Sequence, residues 1–330
     1  MKDLKLNVVY ISDNYYAPYS GVSILSLLEN NKDFDDLHIF FIDLGISELN
    51  RNKLLNIVQN YERSISFIKI NNLNLYYEQK GLNLMEYVPH YMDLFLQDLL
   101  PQDIDKVLYL DSDSIVIGSF KDLWQLNIEN YYLGAALEIK LNHDTAGHAK
   151  KLLGLSENDP YINSGVLLIN LKKMRENNIS ANFIEYINSH ENITYYDQDT
   201  INVVLRNNIK IIDLRYNFFP EFFKLGYDNV IKWTQNKYYY SKEEFNDALN
   251  NIVYLHFQLG LTGKPWYKKN HVPCSNKFDE YVKLSPWKNE VYTDEDVSLK
   301  FRLLSILVYK FPFSIFYTLL KIIRRIKKWE

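Results

Sequence analysis

The sequence predicts an α/β fold, a mainly parallel central sheet flanked by helices, with a small C-terminal helical extension. Short apolar runs alternate with segments of helical periodicity over residues 6–70, further apolar runs recur up to residue 257, and the periodicity is lost only after residue 270. The 330 residues are 47% hydrophobic and 24% charged, with 11 Gly and 9 Pro, which suits one large core and excludes a disordered or fibrous chain.

Residues 6–11 read as an apolar strand, and residues 21–30 then place Val22, Leu25 and Leu28 at helical spacing. Residues 37–43 form a second buried strand. Ser47 sits at an N-cap position ahead of a helix whose Leu54, Leu55 and Val58 share one face. Residues 64–70 make a third strand. Beyond them 166–171, 209–214 and 252–257 are further strands, with helices over 172–189 and 199–206. In such a sheet ligands are expected beyond the carboxyl ends of the strands. Between residues 270 and 296 periodicity gives way to Pro273, Pro286 and an acidic cluster, which divides the chain into a main domain, 1–270, and an extension, 271–330.

Cys274 is the only cysteine, so an internal disulfide and a thiolate-rich metal site are excluded and a reducing compartment fits. The chain runs straight into a strand with no leader-like segment, and the expectation is a cytoplasmic protein. Net charge is −4, but the stretch from Val297 onward carries eight Lys/Arg and one acid. Its Lys310, Pro312 and Lys321 interrupt the apolar run before a spanning length accumulates. The stretch reads equally as a pair of short helices packed against the main domain and as helices whose basic cluster Arg324, Arg325, Lys327 and Lys328 meets an anionic membrane surface, peripherally on the inner face of the cell membrane, and the two can coexist. The acidic remainder argues against nucleic acid as a partner.

The stretch "KVLYLDSDSIVIG", residues 106–118, puts Asp111 and Asp113 two apart in an apolar run. Side chains at i and i+2 of a strand point the same way, so the two carboxylates converge at a strand end. Hard oxygen ligands of this kind suit Mg²⁺ or Mn²⁺, bound together with substrate phosphates. Alone, the pattern is more often a solvated strand-end turn. "YLHF" adds His256 at another strand end as a third ligand, and "GKPW" adds Lys264 as a cation for phosphate.

The segments "VVYISDNYYAPY", "IDLGISELNR", "DKVLYLDSD", "YINSGVLLINLKK", "YYDQDTIN", "YNFFP" and "HF…GKPW" occur in the order shown by glycosyltransferase family 8. Over about residues 6–266 the chain resembles its retaining bacterial galactosyl- and glucosyltransferases of the lipopolysaccharide type, and more distantly glycogenin. The resemblance implies a GT-A nucleotide-sugar-binding fold, a UDP-hexose donor, Mn²⁺ or Mg²⁺, and a carbohydrate acceptor on a glycolipid, polysaccharide or glycoprotein. It implies that Asp111, Asp113 and His256 bind the metal and Lys264 the diphosphate. Ile11 (through its backbone), Asp13 and Tyr16 would form the uridine pocket, with Ser112 along the ribose, and Asn163, Asp197 and Gln198 would line the donor sugar. Gln198 and Asp197 are the expected catalytic pair: Gln198 is a poor nucleophile, which favours attack from the face of departure, with Gln198 steadying the donor and Asp197 binding sugar hydroxyls.

Two features depart from the family pattern. "YMDL" places Asp93 where the family has an arginine, and residues 81–101 contain no Lys or Arg to replace it. His256 and Lys264 are two residues further apart than in the common form, so either Gly260 or Gly263 matches the family glycine. Two other readings compete: a UDP-sugar-binding protein without turnover, and a haloacid-dehalogenase-type phosphohydrolase, whose nucleophilic aspartate also follows an apolar strand.

Overall fold

The computed structural model describes residues 4–82, 89–139, 150–156, 158–190, 193–234, 239–258, 263–268 and 270–294, with 306, 310–315 and 317–318 from the tail. In chain order the elements are β1 (Lys5–Ser12), α1 (Ala17–Asn30), β2 (Asp36–Asp43), α2 (Glu48–Asn60), β3 (Ser64–Lys69) and α3 (Leu73–Lys80). A 3-10 turn (Pro89–Phe95) leads through α4 (Leu96–Leu99) to β4 (Lys106–Leu110), β5 (Ser114–Val116), α5 (Lys121–Gln125), β6 (Leu133–Leu137) and β7 (Ile162–Asn170). Then come α6 (Leu171–Glu176), α7 (Ile179–Ser189), α8 (Tyr196–Val204), β8 (Ile209–Ile211), α9 (Glu221–Thr234), α10 (Lys242–Asn250), β9 (Tyr254–His256) and α11 (Ser275–Leu284).

The central sheet has the order β3-β2-β1-β4-β7-β6-β8. β7 alone runs against its neighbours β4 and β6, and the other pairings are parallel. Both faces are buried, which is why the strands read as continuous apolar runs rather than alternating ones. The period of two is visible instead in the destination of each side chain. Leu6, Val8 and Tyr10 of β1 enter one cluster with Leu37, Ile39 and Phe41 of β2 and Leu108 and Leu110 of β4. Val9, Phe40, Ile42, Val107 and Tyr109 enter the cluster on the opposite face.

The apolar stretch 106–118 is two strands in two sheets. β4 ends at Leu110, the chain turns through Asp111–Asp113, and β5 pairs antiparallel with β9, Ser114 facing His256. The predicted strand 252–257 is thus a three-residue partner of β5 outside the central sheet. The turn is fastened from both sides. The Ser114 hydroxyl donates to the Asp111 carbonyl (2.7 Å), and the Phe257 N–H donates to the Asp113 carbonyl (2.8 Å).

The helix expected over 172–189 is broken at Asn178, whose left-handed backbone (φ 50°) separates α6 from α7. Asn tolerates that conformation better than most residues. β6, "LGAAL", escapes a sequence reading because Gly and Ala carry little strand propensity; pairing with β7 and β8 imposes it.

Past residue 270 the chain continues into the same core. Phe278, Val282, Trp287 and Val291 join the cluster that holds α1. The Trp287 ring lies so close to Gly21 that a Cβ there would sit 2.1 Å from it, and the indole N–H donates to Asn50 Oδ1 (2.8 Å). The basic cluster at 324–328 lies outside the described residues, and no described helix is long and apolar enough to cross a membrane.

Candidate active site

The end of β4 and the antiparallel β5/β9 pair meet at one point. His256 Nε2 lies 3.3 Å from Asp111 Oδ2 and 3.2 Å from Asp113 Oδ1, and His256 is buried. One ligand atom from each of the three residues falls within 4.8 Å of the others. Tyr109 OH donates to Asp111 Oδ1 (2.7 Å), and Lys264 pairs with Asp113 Oδ2. Gly263, just before this lysine, has φ +77°, a conformation that glycine adopts without a Cβ penalty; Gly260 lies outside the described residues. Burial would raise the Asp113 pKa, but Lys264 and His256 overcome it and hold the carboxyl well below the usual range.

A run of side-chain amides sets the orientation of the His256 ring. Asn163 Oδ1 accepts from the Gly165 N–H (3.0 Å), so its Nδ2 is the end that donates to the Glu138 carboxylate (2.6 Å). Asn217 Nδ2 donates to that same Asn163 oxygen (2.7 Å), which leaves Asn217 Oδ1 facing His256 Nδ1 at 3.0 Å. Since that oxygen only accepts, Nδ1 must carry the proton, and Nε2 is the nitrogen turned to the two aspartates. Gly165 leaves room for the ring: a Cβ there would lie 2.2 Å from His256 Cε1.

Two carboxylates and a histidine nitrogen of fixed tautomer are a donor set that fits Mn²⁺ or Mg²⁺. Without the ion, burial pushes the His256 pKa down but Asp113 and Asp111 more than reverse this, to about 9. The free protein at pH 7 then holds a proton on Nε2 that a metal must displace. Apparent Mn²⁺ affinity is expected to rise about tenfold per pH unit from 7 to 9. In the same titration Asn217→Ala is expected to weaken Mn²⁺ about 10- to 100-fold. An unchanged Mn²⁺ isotherm for this variant, read by calorimetry, would remove Asn217 as the ring's orienting partner.

Two clefts flank the cluster. The first, about 370 Å³, is lined by Ile11, Asp13, Tyr16, Asp93, Tyr109 and Ser112. The second, about 450 Å³, is lined by Glu138, Asn163, Tyr195, Tyr196, Gln198 and His256. Asp111, Asp113, Ser164, Asp197 and His90 belong to both. At the first, Asp13 Oδ1 accepts from the Tyr16 N–H (2.8 Å) where α1 begins, and Ser112 Oγ donates to the Ile11 carbonyl (3.3 Å). Tyr16 also stands edge-on to Trp266, ring centres 6.3 Å apart.

At the second cleft the Asn163 amide is fully engaged, and Gln198 Oε1 accepts from Asn163 Nδ2 (3.1 Å) and from the Ser164 N–H (3.2 Å). Burial raises the Asp197 pKa to about 7, opposed by a hydrogen bond from Ser164 and reinforced by the charge of Asp111. Tyr196, with φ 35°, opens the helix that carries Asp197 and Gln198, and its ring stacks on His90 at 5.0 Å. Local strain of this kind tends to gather at functional sites.

The eleven residues singled out in the sequence thus converge on the two clefts and the cluster between them. Glu138, Asn217, Ser164 and Gly165 were not singled out. Asn217 lies within "YNFFP", and Glu138 is a lone acid in the apolar stretch "GAALEI", which is a usable signal for a buried polar partner.

The sheet order and its flanking helices are those of the GT-A fold class. The family model for glycosyl transferase family 8 matches residues 7–270, and the chain belongs to that family. This sets aside the phosphohydrolase reading. A putative glycosyltransferase of Haemophilus influenzae is 32% identical over 65% of this chain, which spans 64% of that relative's length. A lipopolysaccharide 1,2-glucosyltransferase of Escherichia coli is 27% identical over 87% of this chain and 80% of its own. The solved galactosyltransferase LgtC, in complex with donor and acceptor sugar analogs, is 23% identical with a TM-score of 0.66, covering 91% of this chain and 100% of that one.

Proposed function

We propose that the protein is a retaining, metal-dependent hexosyltransferase that moves galactose or glucose from a UDP-sugar to a hydroxyl of a glycan, glycolipid or glycoprotein acceptor. The observation that carries this reading is the Asp111–Asp113–His256 cluster set between two clefts, with Lys264 beside it. Such a partition suits a donor on one side and an acceptor on the other. It is supported by the family and by the sugar transfers for which the related enzymes are named.

In this reading Asp13, Tyr16 and the Ile11 carbonyl hold the uracil and Ser112 lies along the ribose. Breaking the sugar–phosphate bond leaves negative charge on the diphosphate. Asp111, Asp113 and His256 would hold a divalent ion, which would supply Lewis-acid stabilisation of that leaving group. Lys264 exchanges its ion pair with Asp113 for the diphosphate and adds a preorganised positive charge. Gln198 and Asp197, from the first turn of α8, face the anomeric centre, and Asn163 holds Gln198 in place. The acceptor hydroxyl enters by the second cleft, where Tyr195 and Tyr196 offer half-exposed rings to an apolar sugar face.

Product analysis by NMR tests the stereochemical part. The anomeric configuration of the donor should be kept in the product; an inverted linkage overturns retention. We extend the reading to the basic tail, which would bring the enzyme to an anionic membrane surface. Vesicle sedimentation unchanged after removal of residues 297–330 would end that extension.

A further inference from the structure

The first cleft contains an acid that the proposed transfer does not use. Asp93, in the 3-10 turn Pro89–Phe95, is 6% exposed, and neither of its side-chain oxygens has a hydrogen-bond partner. It lines the cleft together with Tyr109, Asp111 and Asp197. No Lys or Arg is among the described residues of that lining. Burial raises the Asp93 pKa, and the charges of Asp197 and Asp111 raise it further, so the surroundings resist more negative charge at this point.

A buried carboxyl with both oxygens unpaired is costly, and the cost is recovered when a ligand supplies hydrogen-bond donors. The diphosphate cannot do so, since it has no hydrogen to donate at neutral pH and is drawn to Lys264 and the metal cluster. The sugar can. Hydroxyl groups present donors, and an ammonium presents three with a positive charge. A carboxylate on the sugar would instead meet Asp197 and Asp93, with no Lys or Arg among the described lining residues to pair with it.

We propose that Asp93, with Asp197, forms a sugar-recognition subsite that takes the donor through hydrogen-bond-donating groups, hydroxyl or ammonium, and rejects a carboxylated sugar. The inference rests on the reading of the first cleft as a UDP-sugar site. Asp93 is a specificity residue here, acting on which sugar is held rather than on the uridine diphosphate.

Calorimetric binding with Mn²⁺ present tests it, using UDP, UDP-glucose, UDP-galactose, UDP-glucosamine and UDP-glucuronate on the full chain. The expected result is that UDP-glucuronate binds at least tenfold more weakly than the preferred neutral or amino sugar. Asp93→Ala should shrink that ratio to within about threefold while leaving UDP affinity unchanged, and Asp93→Asn, which keeps shape and polarity, should fall between. A preference for UDP-glucosamine identifies the ammonium as the partner, and a preference for UDP-glucose or UDP-galactose identifies hydroxyls. UDP-glucuronate binding as well as the neutral sugars, or an Asp93→Ala protein with the wild-type ratio, overturns the subsite alone. Absence of UDP binding in the wild-type protein overturns the functional reading beneath it.

Discussion

Replacing Asp113 with Asn is expected to abolish measurable Mn²⁺ binding at micromolar protein and to lower UDP release from a sugar donor by about 10²- to 10³-fold. Asp113 faces His256 Nε2 on one oxygen and Lys264 on the other, so its carboxylate is the hub of the cluster. An amide keeps the volume but gives up the charge that holds both cations. The His256 pKa should fall as its main anionic neighbour is removed, which by itself would favour metal entry. Loss of a carboxylate ligand outweighs that gain, because a hard divalent ion is held chiefly by anionic oxygen. Mn²⁺ titration followed by single-turnover assay checks the prediction; an Asp113→Asn protein with wild-type metal affinity would move the ion elsewhere.

Trp287→Ala is expected to cost about 3–5 kcal/mol of unfolding free energy, read from denaturant titration. The indole is completely buried and lies against α1 at Gly21, where the absence of a side chain is what admits it. Truncation leaves a cavity beside α1 and strips Asn50 Oδ1 of its indole donor. Lys53, whose Nζ stands 5.4 Å from the ring centre, loses a cation–π contact as well. A loss below about 1 kcal/mol would mean that the segment after residue 270 contributes little to the main core, contrary to its packing.

The parallel half of the sheet was legible because burial on both faces makes β1 and β2 largely apolar runs separated by helical periodicity, while the edge strand β3 keeps its Ile and Phe between polar residues. Ser47 illustrates the local signal: its side chain accepts from the Asn50 N–H at 3.2 Å, as an N-cap should. The second half was less legible. β5 and β9 are three residues each, and what places them is pairing between segments about 140 residues apart, which no local periodicity reports.

The site followed the same division. Asp111 and Asp113 stand out because carboxylates interrupt an apolar run, and His256 and Lys264 gain meaning from their motifs. Asn217 and Glu138 act through a chain of amides spread over three elements, so their roles become visible only when the hydrogen bonds can be followed. Asp93 was visible as a departure from the family pattern, but only the fold shows it buried and unpartnered beside Asp197.

The most direct test of the central claim is UDP release from a panel of UDP-sugars, measured with and without Mn²⁺ and with no acceptor added, since water can substitute slowly for the acceptor hydroxyl. Release from a galactose or glucose donor should require the metal and disappear in Asp113→Asn. Release that is indifferent to metal, or none from any donor by a protein that binds UDP, would contradict that claim.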